Sequence, residues 1–335
     1  MFPTDNIFFQ LSTFFVGFFL LIKGADWLVE GSASIAKKFN VSDLFIGLTV
    51  VSFGTSAPEL LVSVTASIGG NSEVAIGNIF GSNIANIFLI LGATSFVKDL
   101  KVQKQTVISE VPFTLSAALL IGFLANVTWE PGMGEIGTGL SISRFDGFVI
   151  LMFFVLFLLY VFNLSKDKPE LEENIERLPT RKAVFFLILG VTGLFIGGDW
   201  VVDGAVFIAD KAGLGADLIG LTIVAFGTSL PELVTTITAA QKGSADMAIG
   251  NVVGSNIFNL LWIVGIAAVI SPMPFETSFN FDLMVMILAS AVIILAVSVG
   301  KKFTLQRSSG FLFVGLYAIY IILSILRNKN PEIFL

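Results

Sequence analysis

Apolar residues fall into long unbroken stretches along the chain, at about 7–36, 43–69, 74–97, 106–126, 147–164, 183–209, 217–241, 247–271, 281–300 and 309–326. Most approach or exceed the ~20 residues an α-helix needs to cross a bilayer. A membrane barrel would instead show segments of about ten residues alternating apolar and polar. The run from Phe148 to Phe162 has no such alternation. The pattern predicts an all-α integral membrane protein with ten transmembrane helices. The first stretch is expected to be a retained span, because only Asp5 and no basic residue precedes it and it is too long for a signal-peptide core.

Composition narrows the chemistry. Of 335 residues 55% are hydrophobic and 13% charged, and the mean hydropathy is +0.91. Soluble domains carry about 25% charged residues, so lipid is the main solvent here. With no Cys and no His, thiolate and imidazole chemistry is excluded, along with the usual zinc and haem ligands. What remains is oxygen: carboxylates, hydroxyls, amides and backbone carbonyls. A net charge of −6 offers no basic face for nucleic acid.

Basic residues set the expected orientation. With the N-terminus outside, the cytoplasmic loops collect fourteen Lys and Arg residues, among them Lys37, Lys38, Lys98, Lys101, Lys104, Lys301 and Lys302, and the outer side keeps Arg144, Lys211, Arg327 and Lys329. Both termini are therefore expected on the outer side of a multi-pass protein of the cell (inner) membrane. The mixed-charge segment 165–182 reads as a solvated cytoplasmic linker, and 129–143 as an outer loop.

Compared with itself, the sequence shows a repeat. Gly24–Gly92 aligns without a gap on Gly197–Gly265, a shift of 173, with roughly half of the positions identical. The expected organisation is a five-helix unit over 1–164 with its repeated motif at 42–97, the linker 165–182, and a second unit over 183–327 with its motif at 215–271. Five spans per copy, an odd number, make the second copy enter the membrane upside down. Such inverted repeats are a hallmark of secondary transporters, because two inverted copies give inward-open and outward-open states of similar energy.

Each copy carries a proline-interrupted carboxylate, Gly54-Thr55-Ser56-Ala57-Pro58-Glu59 and Gly227-Thr228-Ser229-Leu230-Pro231-Glu232. Glu59 is the only charge between Asp43 and Glu73, and Glu232 the only one between Asp217 and Lys242. An ionisable group inside a span is costly and marks function by default. Proline lacks an N–H, so carbonyls one turn back are free to act as ligands. Thr55 and Ser56 lie four and three residues before Glu59 and share its helix face.

A second motif, Gly77-Asn78-Ile79-Phe80-Gly81-Ser82-Asn83-Ile84-Ala85-Asn86, is echoed by Gly250-Asn251-Val252-Val253-Gly254-Ser255-Asn256-Ile257-Phe258-Asn259. Its glycine spacing suits close helix packing. Ser82 with Asn86, and Ser255 with Asn259, can complete a coordination shell, whereas Asn78, Asn83, Asn251 and Asn256 read as structural amides. Asp26 with Glu30 and Asp199 with Asp203 lie in the first helix of each copy and line an access path or make bundle contacts.

These paired motifs on a five-plus-five inverted repeat resemble the α-repeats of the cation/calcium exchanger superfamily, in its prokaryotic sodium/calcium exchanger branch. The resemblance implies that Glu59 and Glu232 ligate calcium, together with the carbonyls of Thr55 and Thr228. It places Thr55, Ser56, Thr228, Ser229, Ser82 and Ser255 around sodium, which the carbonyls of Ser52 and Ala225 also reach. Several relatives carry Asp where this chain has Asn259. With Asn86 and Asn259 both neutral, the resemblance implies exchange independent of potassium. Two carboxylates supply −2, which one calcium or two sodium ions neutralise, so the cargoes compete for one charge-limited site.

The expected function is a sodium/calcium antiporter that exports calcium by alternating access, is not an enzyme, needs no cofactor and works as a monomer in the bilayer. Proton/calcium exchange on the same glutamates is the alternative within carriers, but the Thr-Ser pairs favour sodium. A passive cation channel would not couple the two fluxes. An intramembrane protease would need paired Asp.

Overall fold

The computed structural model describes residues 7–127, 140–164, 178–211, 225–298 and 301–329. In chain order its helices are α1 (Ile7–Phe39), α2 (Asp43–Thr55), α3 (Ala57–Ile68), α4 (Ser72–Val97), α5 (Thr106–Asn126), α6 (Arg144–Leu164), α7 (Thr180–Lys211), α8 (Ala225–Gly227), α9 (Leu230–Gln241), α10 (Ala245–Ile270), α11 (Phe279–Ser298) and α12 (Arg307–Lys329). Eight helices among the described residues are long and apolar enough to cross a membrane, and the pair α2–α3, bent by 50°, passes the same test when its two halves are taken together. The remaining predicted stretch, 217–241, the seventh along the chain, is seen as α8 and α9, its first residues lying outside the described ones, as do most of the outer loop 129–143 and of the linker. In lipid every backbone polar group must be satisfied internally, which is why the apolar runs become helices.

Among the described residues, four two-residue strands, absent from the sequence expectation, tie helix ends together. β1 (Leu100–Lys101) pairs with β4 (Thr304–Leu305), and β2 (Ser141–Ile142) with β3 (Met273–Pro274), both antiparallel. The chain forms two compact units, Met1–Pro58 with Leu164–Asn251, and Glu59–Asn163 with Val252–Leu335. Each unit draws segments from both sequence copies.

In the first unit α1 and α7 pack along a glycine seam repeating every seven residues. A Cβ on Gly17 would stand 3.0 Å from the Gly197 carbonyl oxygen, one on Gly24 2.9 Å from that of Gly190, and one on Gly31 2.7 Å from that of Ala183. Partner numbers fall as α1 numbers rise, so the helices run antiparallel, as inversion of the second copy requires. Gly193 sits with its Cβ position 3.3 Å from the carbonyl oxygen of Leu20, its own equivalent in the repeat. The pseudo-twofold axis therefore crosses the pair there, and in inverted-repeat transporters such an axis lies in the plane of the membrane, near its middle.

The repeat also governs chain reversal. Gly70 and Gly243, equivalent positions after α3 and α9, have φ of 77° and 95°, which glycine tolerates without a steric penalty. They close matching helix ends, with Asn71 N–H donating to Ala66 at 2.8 Å and Ser244 N–H to Ala239 at 2.9 Å.

In the second unit, α5 packs on α11, and α12 lies along the C-terminal part of α4. Phe80 of α4 meets Phe279 of α11 edge to face, and Phe154 of α6 contacts Phe258 and Trp262 of α10.

Candidate functional site

Both carboxylates sit in the first turn of a helix that restarts after a break. α2 ends at Thr55, Ser56 lies outside helix geometry, and α3 begins at Ala57 with Glu59 in its first turn. The second copy repeats this: α8 ends at Gly227, Ser229 precedes α9, and Glu232 lies in its first turn. The proline in each restart supplies the break, and the unpaired N–H groups and dipole of a helix N-terminus favour a negative charge there. Glu59 and Glu232 are 1% and 0% exposed.

In the first unit, the Ser56 hydroxyl donates to Glu232 Oε1 at 3.0 Å, joining the motifs of the two copies. Glu232 Oε2 is buried without a hydrogen-bond partner among the described residues. Thr55 Oγ1 lies 3.1 Å from Asn251 Oδ1 and 3.3 Å from the Ser52 carbonyl oxygen, while the Asn251 amide donates to Thr236 Oγ1 at 3.0 Å. The Ser52 carbonyl also accepts the Ser56 N–H at 2.9 Å. Ser52 and Ser229 are fully buried, Thr228 is half-buried, and Ala225 begins α8.

In the second unit, the Ser82 hydroxyl lies 3.5 Å from Glu59 Oε1, and Asn78 donates to Ser63 Oγ at 3.1 Å. That bond is the repeat equivalent of Asn251 to Thr236. Asn86 Nδ2 donates to Asn256 Oδ1 at 2.9 Å, and Asn259 Nδ2 to Asn83 Oδ1 at 3.2 Å. With their N–H sides engaged, Asn86 and Asn259 each keep a buried Oδ1 with no hydrogen-bond partner among the described residues. Buried acceptors are normally satisfied, and an unsatisfied amide oxygen turned away from its own anchored nitrogen is a ligand suited to a hard cation. Ser255 is fully buried.

The helices are locally widened where these amides sit. α4 and α10 carry π-turns at Ala85–Ile90 and Phe258–Ile263, which include Asn86 and Asn259. π-Turns concentrate at functional sites because they re-aim one side chain without ending the helix. The glycine motif packs tightly at Gly250, where a Cβ would stand 2.9 Å from the Leu44 carbonyl oxygen, but nothing lies within 4 Å of a Cβ on Gly81. Among the described residues no three acidic, His or Cys side chains cluster.

The sequence did not single out Ser63 and Thr236, which anchor Asn78 and Asn251. The available signal was a hydroxyl four residues after each glutamate in both copies. Nor did it find a partner for the acids of α1: Lys242 Nζ lies 3.2 Å from both Asp26 Oδ1 and Glu30 Oε1, whereas Asp199 and Asp203 are exposed.

The fold defines a class, a polytopic membrane protein built as an inverted repeat, which is the architecture of secondary transporters. The profile of the sodium/calcium exchanger protein family matches residues 9–163 and 182–326, and the chain belongs to that family. It is 32% identical to sodium/calcium exchanger MaX1 of Methanosarcina acetivorans, over 92% of this chain and 96% of that protein. It is 35% identical to inner membrane protein YrbG of Escherichia coli, over 83% and 85%. Among solved structures, the sodium-calcium exchanger NCX_Mj superposes with a TM-score of 0.79 at 33% identity, covering 95% of this chain and 99% of that one. The chain is a cation/calcium antiporter, a transporter and not an enzyme.

Proposed function

We propose that this antiporter exports calcium against its gradient, driven by sodium and independent of potassium. The observation that carries the reading is the equivalent placement of Glu59 and Glu232, each buried in the first turn of a helix restarted by proline. These carboxylates are the calcium ligands, assisted by the carbonyls of Thr55 and Thr228. Thr55, Ser56, Thr228, Ser229, Ser82 and Ser255 serve sodium, with the carbonyls of Ser52 and Ala225, and Asn86 and Asn259 contribute amide oxygens. The donor set supports a hard cation, because it is all oxygen and two of its amide oxygens are turned away from their anchored nitrogens.

Neutral Asn86 and Asn259 hold the acidic charge of the set at −2, which supports alternative loading by one calcium or two sodium ions and gives potassium no further carboxylate. The family profile matches in two stretches, 9–163 and 182–326, which supports a division into two five-helix copies with 165–182 as a cytoplasmic linker. Both termini lie on the outer side, a reading supported by the charge of the loops, and the membrane is the cell (inner) membrane, as for the similar inner membrane protein YrbG. The protein works as a monomer.

The test is calcium flux in proteoliposomes. A sodium gradient is expected to drive calcium uphill at the same rate with and without potassium, and a pH gradient is not. Calcium movement driven by the pH gradient alone would replace this reading with proton/calcium exchange, and uncoupled leakage would indicate a channel.

A further inference from the structure

α1 and α7 each carry two acids four residues apart, at depths fixed by the repeat. From the midplane level at Leu20 and Gly193, Asp26 and Asp199 lie six residues along their helices, and Glu30 and Asp203 ten. At 1.5 Å per residue these are depths of about 9 and about 15 Å, within or at the edge of a half-bilayer of about 15 Å. The helices are antiparallel, so the two pairs lie on opposite sides of the midplane. All four are at least partly exposed, and an exposed carboxylate at that depth faces water rather than lipid. The two pairs therefore mark the aqueous approaches from the two faces.

The approaches are unequal. Lys242, at the C-terminal end of α9, satisfies its ammonium group with Asp26 Oδ1, Glu30 Oε1 and the Asp26 carbonyl oxygen, each at 3.2 Å. Lys23 lies 3.5 Å from Asp26 Oδ2. Two lysines thus offset two acids, and the group is neutral. The repeat equivalents of Lys23 and Lys242 are Ile196 and Gly69, and neither Asp199 nor Asp203 makes an ion pair among the described residues. Among the described residues the opposite pair has no cation to offset it. The equivalent acids carry the same formal charge, Asp26 with Asp199 and Glu30 with Asp203, whereas the lysines beside the first pair have no counterpart beside the second, so the difference is electrostatic.

We propose that Lys242, with Lys23, is the residue that makes the two faces of the exchanger unequal. By neutralising the approach on the side of the α1 C-terminus, it lowers the local cation concentration there, so sodium and calcium load with weaker apparent affinity from that face than from the face of Asp199 and Asp203. This rests on the exchange reading above. The local concentration of an ion depends exponentially on its valence times the potential. Removing one positive charge at about 10 Å, partly screened, is expected to raise sodium occupancy about twofold and calcium occupancy about fourfold, the square of the sodium effect.

The test measures initial exchange rates in proteoliposomes with ions varied on one face at a time. Because the chain has no native Cys, a single Phe39→Cys reports orientation through an impermeant maleimide. Lys242→Met is expected to lower the apparent KM from the α1 C-terminal face only, about twofold for sodium and about fourfold for calcium. The effect should fade at high ionic strength and be reversed by Lys242→Arg. Ile196→Lys, which places a lysine three residues before Asp199 as Lys23 precedes Asp26, is expected to raise KM from the opposite face and guards against misfolding of Lys242→Met. Unchanged KM values, equal shifts on both faces, equal factors for the two ions, or insensitivity to salt would each overturn the proposal. Absence of coupled exchange in the unsubstituted protein would instead overturn the functional reading.

Discussion

Replacing Glu232 with Gln removes one charge and almost nothing else. The side chain is fully buried, Oε1 accepts the Ser56 hydroxyl at 3.0 Å, and Oε2 has no hydrogen-bond partner among the described residues. A glutamine of the same shape keeps an acceptor for Ser56. Two unit charges about 4 Å apart interact by about 4 kcal/mol at an effective dielectric constant of about 20, and a divalent cation doubles this to about 8 kcal/mol. If half is offset by easier desolvation of the neutral side chain, about 4 kcal/mol remains, or about a thousandfold in calcium affinity. Sodium feels half the charge effect. Sodium-driven uptake of radiolabelled calcium by Glu232→Gln proteoliposomes should fall to background at calcium concentrations that saturate the unsubstituted protein.

Thermal unfolding in detergent gives a second readout for the same variant. Calcium at about a hundred times its Kd adds about 2.7 kcal/mol to stability, so the unsubstituted protein should melt higher with calcium and Glu232→Gln should not. Without calcium the variant should melt no lower, since an ionised group has been removed from a dry interior. Uptake at the normal rate, or a retained calcium-dependent rise in Tm, would refute the reasoning. Glu59→Gln is expected to behave alike.

Ser56→Ala removes the hydroxyl donor to Glu232, a hydrogen bond to a charged group worth about 1.5–3 kcal/mol. Sodium-dependent calcium release should then need at least about tenfold more sodium, and an unchanged sodium dependence would exclude Ser56 from the site. Gly190→Val tests the α1–α7 seam: a Cβ at Gly190 would stand 2.6 Å from Leu28 N. Overpacking of this kind costs about 1–3 kcal/mol, read as a lower Tm than for a valine at Gly81, where a Cβ meets nothing within 4 Å. For topology, Phe8→Cys should react with an impermeant maleimide from outside intact cells and Phe39→Cys only after permeabilisation. The reverse pattern would invert the assigned orientation.

Much of this protein was legible before folding because the dominant forces are local in sequence. Transfer of apolar residues into lipid set the spans, and the structure begins α5 at Thr106 and ends it at Asn126, the bounds of the predicted stretch. Proline chemistry placed the breaks at Ser56 and just before Leu230. The four short strands escaped notice, since two-residue pairings leave no periodic signal. The widened turns at Asn86 and Asn259 escaped for a similar reason: an extra residue in a helical turn follows from packing, not composition.

By itself the sequence determined the spans, the repeat and its inversion, and the two glutamates that stand out against lipid. These depend on how single residues partition between water, lipid and helix. Tertiary structure alone decided the partnerships. Ser56 of the first copy holds Glu232 of the second, Asn256 orients Asn86, Asn83 orients Asn259, and Lys242 crosses from α9 to the acids of α1. A buried amide or carboxylate can be satisfied by many donors and acceptors, so its identity leaves the partner open. Only the packed helices, brought close along seams of glycine, select one.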